Sequence, residues 1–366
     1  MEYIVVFVVT SLILKTLPQN FSDKRALRAG FWVVLIISLF SGLRANSVGT
    51  DTCSYPLAAF HYAMKSSSYA VFDELMTENI YMREVGYKFW AFYVMKVFGD
   101  FNVFLFVSAV VVNAGFLVFF IHMGRKYNVR VWLIWLAYCF ILFSQTLNLA
   151  KQSLAIALCL FAFVSFQNAR KKTALLLIFI AMTFHFTAAA FLFFFVEKKI
   201  ENSLFRRVLL GSLLFIALGG KILLYNILTF VPYVLQYTSR FLFYLEKGNE
   251  DIPVVVVAYH FMFILLFVIM LMFKSYRIDK ENVVRMVFVM SIGCSLLLFS
   301  GLSAQAGRIS FYFLPFNFAF VPYLLKNSKI YRVSKFVYVP SLFCFWLITV
   351  VIQGSAGVYP YVSILQ

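Results

Sequence analysis

The chain has 366 residues, of which 63% are hydrophobic and only 13% are charged. Soluble globular chains are about 45–50% apolar and about 25% charged, so this composition excludes a water-soluble domain and indicates a membrane protein with many spanning helices. The formal net charge of +17 would favour a nucleic-acid-binding protein only if the basic residues shared one soluble face.

Eleven apolar runs follow one another along the chain, and most are long enough to cross a membrane. They lie near residues 3–18, 29–45, 101–122, 130–148, 151–168, 173–196, 208–228, 253–273, 286–303, 309–325 and 335–354. The predicted fold is therefore all-α and polytopic, with about 11–12 transmembrane helices in a single integral membrane domain, residues 1–366.

The Lys and Arg residues cluster in alternate connections between these runs, as the positive-inside rule requires of cytoplasmic loops. This pattern places both termini on the outer side. It also explains the positive charge as a topology signal, so we discard nucleic acid as a partner. The run 173–196 has basic clusters at both ends, which predicts a hairpin of two short helices with His185 near its tip.

Two segments on the outer side, residues 44–100 and 229–252, are too long to be simple turns, and we expect both to carry interfacial helices. In the first, apolar and aromatic residues from Tyr87 onward recur at spacings of three and four, which predicts an amphipathic helix in the membrane interface. Glu84 and Lys88 are predicted to form an i,i+4 pair on its exposed side.

Ionisable residues are costly in a membrane, so those beside the spans are candidates for function. Nearly all of them fall at the outer ends, and they are Arg44, Asp51, Glu84, Lys151, His185, Lys221, Arg240 and Arg308. Each also has a structural interpretation. The basic side chains can reach the interface from a helix end, Asp51 can cap the helix that follows, and His185 can be a packed, hydrogen-bonded residue among phenylalanines.

Cofactor and metal motifs are missing from the sequence. The five cysteines form no CxxC pair, and the chain contains no GxGxxG, P-loop or HExxH motif. We therefore expect neither a cofactor nor a metal site.

Several short motifs together resemble the EpsG-like O-antigen and exopolysaccharide polymerases of the Wzy type. They are, in chain order, Val48-Gly49-Thr50-Asp51 with Tyr55, Glu84-Val85-Gly86-Tyr87, Lys151-Gln152-Ser153-Leu154-Ala155, Phe184-His185-Phe186-Thr187-Ala188, and Gly307-Arg308-Ile309 with Tyr312. The family usually has Arg before the Gln of the third motif. Lys151 keeps the positive charge there but lacks the bidentate guanidinium.

The resemblance implies a metal-independent glycosyltransferase of the bacterial inner membrane, with periplasmic termini and an active site facing the periplasm. It would polymerise undecaprenyl-diphosphate-linked oligosaccharide repeat units, in contact with membrane lipid and together with a polysaccharide chain-length regulator. The expected site residues are Asp51, His185 and Glu84 for catalysis, Arg308, Arg44 and Lys151 for the diphosphate, and Tyr55, Arg240 and Tyr312 for the substrate.

Three other classes of function stay open at this point. A lipid-linked oligosaccharide flippase or secondary transporter would have charged residues at the membrane midplane and internal repeats, which the sequence does not show. An O-antigen ligase would share the diphosphate contacts and differ in its acceptor. A non-catalytic subunit of an export complex would need Arg308 for assembly only.

Overall fold

The computed structural model describes residues 1–18, 21–77, 83–196, 254–273, 280–301 and 307–365. These residues are almost entirely helical, which confirms the all-α prediction. They form two compact units, Met1–Leu192 with Val339–Gln366, and Phe193–Tyr338. The predicted span 208–228, the predicted segment 229–252 and the candidates Lys221 and Arg240 lie outside the described residues.

The first unit is built from helices that cover, in chain order, the predicted runs from 3–18 to 173–196 and the predicted outer segment 44–100. They are α1 (Glu2–Lys15), α2 (Asp23–Gly42), α3 (Thr50–Ser54), α4 (Pro56–Lys65), α5 (Tyr69–Thr77), α6 (Val85–Phe98), α7 (Phe101–Lys126), α8 (Val131–Ile141), α9 (Phe143–Asn148), α10 (Ala150–Gln167) and α11 (Lys171–Phe184), then a 3₁₀ helix, Phe186–Leu192. Near the C-terminus, a π-helical turn (Leu347–Ile352) and a 3₁₀ turn (Ser355–Gly357) belong to the same unit.

The second unit contains α12 (Phe193–Val196), α13 (Val254–Met272), α14 (Lys280–Leu297), 3₁₀ helices at Leu298–Gly301 and Arg308–Tyr312, and α15 (Leu314–Lys326); α16 (Tyr331–Trp346) begins in it. A buried polar contact joins α13 to α15, where Asn317 Nδ2 lies 3.4 Å from His260 Nδ1. The predicted span 309–325 is thus a 3₁₀ turn followed by an α-helix, and not one continuous helix.

Five of the described helices are long and apolar enough to cross a membrane. They are Asp23–Gly42, Phe101–Lys126, Ala150–Gln167, Val254–Met272 and Lys280–Ser300. Shorter apolar helices occur at Val131–Ile141, Phe186–Phe195 and Phe336–Ile352. The protein is therefore a multi-pass membrane protein.

Small residues allow α2, α7 and α10 to approach one another closely. A Cβ at Gly42 would lie 2.6 Å from the Cβ of Phe106, and one at Gly115 would lie 2.7 Å from the Cβ of Ala157. Lipid tails are as apolar as side chains, so close van der Waals packing of this kind drives helix association in a membrane.

In the interior of the first unit, hydrogen bonds between neutral polar side chains hold neighbouring helices together. The hydroxyl of Tyr138 donates to Asn113 Oδ1 at 2.8 Å, and Asn113 Nδ2 lies 3.3 Å from Ser38 Oγ. Trp135 Nε1 donates to Thr10 Oγ1 at 3.0 Å. Because water cannot satisfy these groups at membrane depth, each contact ties the rotation of one helix to its neighbour.

The predicted Glu84–Lys88 pair is wrong. The helix itself was expected and is present as α6, but Lys88 is buried on the face that packs against α5, where it forms an ion pair with Asp73. Glu84 instead binds Lys151 at the start of α10. The tertiary packing of α5 on α6 turned Lys88 inward, which the local spacing alone could not reveal.

The predicted hairpin over residues 173–196 breaks where expected, although most of its second arm is a 3₁₀ helix and only Phe193–Val196 is α-helical. The first arm, α11, ends at Phe184, and His185 is extended, with φ −159° and ψ 115°. The 3₁₀ helix Phe186–Leu192 follows directly. His185 therefore lies at the end of a helix.

The close contact between α7 and α10 predicts the effect of enlarging Gly115. Gly115→Val should lower the free energy of unfolding by about 1–3 kcal/mol, because the new side chain meets the backbone of Ala157. Val118→Leu, at an exposed position on the same helix, is the control and should have little effect. Thermal unfolding in detergent measures both, and equal midpoints for Gly115→Val and wild type would contradict this packing.

Candidate functional site

One end of the first unit brings together six residues that the sequence singled out. Helices α2, α9 and α11 end there, and α10 begins there, so the polar residues at these junctions are neighbours. The six are Arg44, Asp51, Tyr55, Glu84, Lys151 and His185. We call this group the Asp51 cluster.

Arg44 joins the ends of two helices at the base of the cluster. Its guanidinium donates to the carbonyl oxygens of Ser41 at 2.6 Å and Leu147 at 3.1 Å, in the last turns of α2 and α9. These terminal carbonyls have no partner within their own helices and carry the negative end of the helix dipole. Burial lowers the pKa of Arg44 to about 10, so the side chain is still charged at neutral pH.

A third donor of Arg44, Nε, is buried and has no hydrogen-bond partner in the described ranges of the chain. A cavity of about 30 Å³ adjoins this side chain and is lined by polar groups of Ser41, Ser108, Asn113 and Thr146. The cavity is large enough to hold ordered water. The contacts of Arg44 favour a structural role, and its predicted role in diphosphate binding stays a prediction.

The loop that carries Asp51 is fixed from two sides. On one side, Asn148 Oδ1 accepts a hydrogen bond from the Asp51 backbone N–H at 2.7 Å and from Thr50 Oγ1 at 3.1 Å. On the other side, Gly49, whose φ is +92°, donates its N–H to the Gly357 carbonyl at 2.8 Å. These contacts place Asp51 in the first turn of α3, with its backbone tied both to the α9–α10 corner and to the C-terminal segment.

Lys151 and Glu84 form an ion pair across the cluster, with Nζ 2.6 Å from Oε2. The two side chains are largely buried, at 12% and 26% exposure. Lys151 Nζ also lies 5.1 Å from the centre of the Tyr55 ring, and the Tyr55 hydroxyl is 3.5 Å from Asp51 Oδ2. A continuous set of contacts therefore links these four predicted residues.

His185 lies near the Glu84 segment because α6 begins against the end of α11. A Cβ at Gly86 would clash with Thr183, so only glycine allows this approach. The imidazole of His185 has its Nδ1 2.5 Å from Thr187 Oγ1.

Sequence analysis missed two residues of this region, Asn148 and Tyr87. Asn148 could have been found as a polar residue at the corner between two apolar runs. Tyr87 is predicted to belong to the interfacial helix, yet its ring is fully buried, 5.8 Å from the Tyr55 ring, and within the described part of the chain its hydroxyl has no hydrogen-bond partner. Burial, and then the charge of Asp51, raise the pKa of Tyr87, so the hydroxyl stays protonated and is a donor. Its position one helical turn after Glu84 was the available signal.

The remaining described candidates, Arg308 and Tyr312, belong to the second unit. Both lie in the 3₁₀ helix Arg308–Tyr312, which Gly307 places so close to Ser300 that a Cβ there would clash. Arg308 is half-buried, whereas Tyr312 is fully buried. Their predicted roles in binding diphosphate and substrate stay predictions, as does that of Arg240.

The family model for the EpsG family matches residues 28–363 and so covers nearly the whole chain and the entire Asp51 cluster. The chain belongs to the EpsG family. This membership confirms the resemblance seen in the motifs and supports a polysaccharide polymerase type of role in the membrane. No curated protein and no solved structure matches the chain.

Two glycines of the C-terminal segment allow a matched test of how this EpsG-family protein holds its Asp51 loop. Gly354 and Gly357 both have positive φ, +65° and +60°, but only at Gly357 would a Cβ meet another residue, Thr50 Cγ2 at 2.8 Å. Alanine at either position should cost about 1 kcal/mol in backbone strain. Gly357→Ala should also displace Thr50, and so lower the thermal unfolding midpoint more than Gly354→Ala; equal midpoints would contradict this contact.

Proposed function

We propose that this protein is a glycosyltransferase that polymerises undecaprenyl-diphosphate-linked oligosaccharide repeat units, as in O-antigen or exopolysaccharide synthesis. The observation that carries the proposal is the convergence of Asp51, Tyr55, Glu84 and Lys151 at one end of a membrane helical unit of the EpsG family. Carboxylates beside aromatic rings and a cation suit the binding and activation of a sugar hydroxyl.

Charge at the opposite end of the first unit supports a periplasmic site in the inner membrane. There, Arg125 binds Asp23 at 2.7 Å, Lys126 binds Gln167 at 3.0 Å, and Lys15 lies over the Trp132 ring. Basic side chains mark the cytoplasmic end of membrane helices. By this rule the Asp51 cluster and both termini face the periplasm.

The reaction that we propose is a single displacement that needs no metal. The acceptor hydroxyl, at the non-reducing end of a new lipid-linked unit, attacks the anomeric carbon of the growing chain. A glycosidic bond forms, the bond to the lipid diphosphate breaks, and the hydroxyl proton passes to a carboxylate of the protein. A cationic side chain of the protein neutralises the charge that develops on the departing diphosphate.

Asp51 is the carboxylate that we assign to receive this proton. Its backbone is held by Asn148 and, through Gly49, by Gly357, so its side chain starts from a fixed position. Glu84 forms an ion pair with Lys151, and His185 Nδ1 contacts Thr187 Oγ1. We therefore assign positioning roles to Glu84 and His185.

A transporter fits the first unit less well than an enzyme does. Neutral side chains make the polar contacts between helices well inside this unit, namely Thr10, Asn113, Trp135 and Tyr138. Its ion pairs among the described residues lie toward its ends or in the segment 44–100. Alternating access commonly uses ionisable groups near the membrane midplane.

Replacing Asp51 tests the chemistry. In a host that lacks its own polymerase and makes the matching repeat unit, wild type should restore the long polysaccharide ladder on a gel. Asp51→Asn should reduce chain extension by about 10²-fold or more, as loss of a general base does. Asp100→Asn is the matched control, because Asp100 caps α7 through the Val103 N–H at 2.9 Å and Asn caps equally well.

Two results would contradict the proposal when the protein is present at normal level. A full ladder with Asp51→Asn would remove Asp51 from the chemistry. Failure of wild type to lengthen single-repeat product, while lipid-linked units reach the periplasm, would indicate a ligase or a related transferase.

Thiol labelling tests which end of the first unit faces the periplasm. Cys53 lies on α3 beside Asp51 and is exposed, as is Cys344, whereas the other cysteines are buried. With Cys344→Ser, a membrane-impermeant maleimide should label Cys53 in intact cells. With both exposed cysteines replaced by Ser, Arg170→Cys at the opposite end should react only after the membrane is permeabilised, and the reverse pattern would invert the topology.

A further inference from the structure

The cations of the Asp51 cluster are already compensated by the protein. Lys151 is paired with Glu84 at 2.6 Å, and the guanidinium of Arg44 donates to the carbonyls of Ser41 and Leu147. With Asp51 included, the two cations and two carboxylates balance in formal charge. A diphosphate carries several negative charges and needs an excess of positive charge, so this balanced group suits a neutral ligand better.

Tyr87 adds a donor that has no acceptor. Its ring is fully buried and its hydroxyl has no hydrogen-bond partner among the residues that the structure describes, although the charges of Asp51, Arg44 and Glu84 act on it. Buried polar groups in native proteins nearly always have a partner, so one that lacks a partner in the free protein needs an explanation. A ligand oxygen that arrives during function provides one.

The surroundings of this hydroxyl match the surface of a sugar. Tyr55 and Tyr87 meet edge to face at 5.8 Å, and the Tyr55 hydroxyl lies 3.5 Å from Asp51 Oδ2. A pyranose ring has an apolar C–H face, which packs on an aromatic ring, and neutral hydroxyls, which both donate and accept. The tyrosines and Asp51 offer a counterpart to each of these features.

We propose that the Asp51 cluster is a sugar subsite, in which Tyr87 donates its hydroxyl hydrogen bond to an oxygen of the acceptor repeat unit. Tyr55 lies against Tyr87 and is only 4% exposed, so its side chain must rotate outward for the sugar to enter. This inference rests on the proposed function and refines it. It assigns the acceptor sugar to the Asp51 cluster and leaves the diphosphate to other residues.

Two Tyr→Phe substitutions test this assignment. Tyr87→Phe removes a hydroxyl that has no partner, so the thermal unfolding midpoint should stay the same or rise. Binding of the free oligosaccharide repeat unit should weaken by about five- to tenfold, the effect of one neutral hydrogen bond. Tyr138→Phe is the matched control. It removes the 2.8 Å bond to Asn113, so it should lower the midpoint and leave oligosaccharide affinity unchanged.

Undecaprenyl diphosphate, which carries no sugar, is the second ligand in the same titrations. Its affinity should be equal for wild type and Tyr87→Phe. The sugar assignment is overturned if wild type shows no saturable oligosaccharide binding, if Tyr87→Phe binds the oligosaccharide as tightly as wild type, or if only diphosphate binding weakens. A lower midpoint for Tyr87→Phe would likewise overturn it, because that hydroxyl would then be part of the folded core.

Chain extension by the same preparations separates this inference from the proposed function. If the wild-type protein extends no chains, the proposed function itself is wrong. If wild type and Tyr87→Phe extend chains equally, with equal acceptor KM, only the sugar subsite is wrong.

Discussion

The buried guanidinium of Arg44 joins two helix ends, and the end of the first unit that carries the Asp51 cluster depends on this contact. The buried side chain of Arg44 supplies donors to carbonyls of α2 and α9 that have no partners within their own helices. The helices can therefore end side by side. The chain leaves α2 directly into the Asp51 loop, and the C-terminal segment pairs with it, Ala45 N–H donating to the Val362 carbonyl at 2.8 Å.

The polar corner between α9 and α10 turns this anchored end into a candidate site. Asn148 caps the short helix that carries Asp51, and Lys151 reaches the carboxylate of Glu84 in front of α6. In a chain so rich in apolar residues, polar side chains thus concentrate where helices are interrupted. The same side chains both satisfy the interrupted backbone and line the place where we propose that sugar chemistry occurs.

Much of this arrangement could be predicted from sequence, because hydropathy and the positions of Lys and Arg are one-dimensional signals. The membrane helices, the α9–α10 corner, the break at His185 and most members of the Asp51 cluster were found in this way. The ion-pair partners of the charged side chains could not be predicted from sequence. Lys88 is four residues from Glu84 but binds Asp73, while Glu84 binds Lys151, 67 residues away. Such choices are made by helix packing. The contact of Gly357 with the Asp51 loop and the unpartnered hydroxyl of Tyr87 are likewise visible only in three dimensions.

The central claim is that the Asp51 end of the first unit receives the sugar of a lipid-linked unit. Cryo-electron microscopy of the protein in nanodiscs with its undecaprenyl-diphosphate-linked repeat unit bound tests this most directly. The account predicts sugar density within hydrogen-bonding distance of the Tyr87 hydroxyl and the Asp51 carboxylate, with the Lys151–Glu84 pair intact. Diphosphate density bonded to Lys151 or Arg44, with no sugar beside Tyr87, would contradict it.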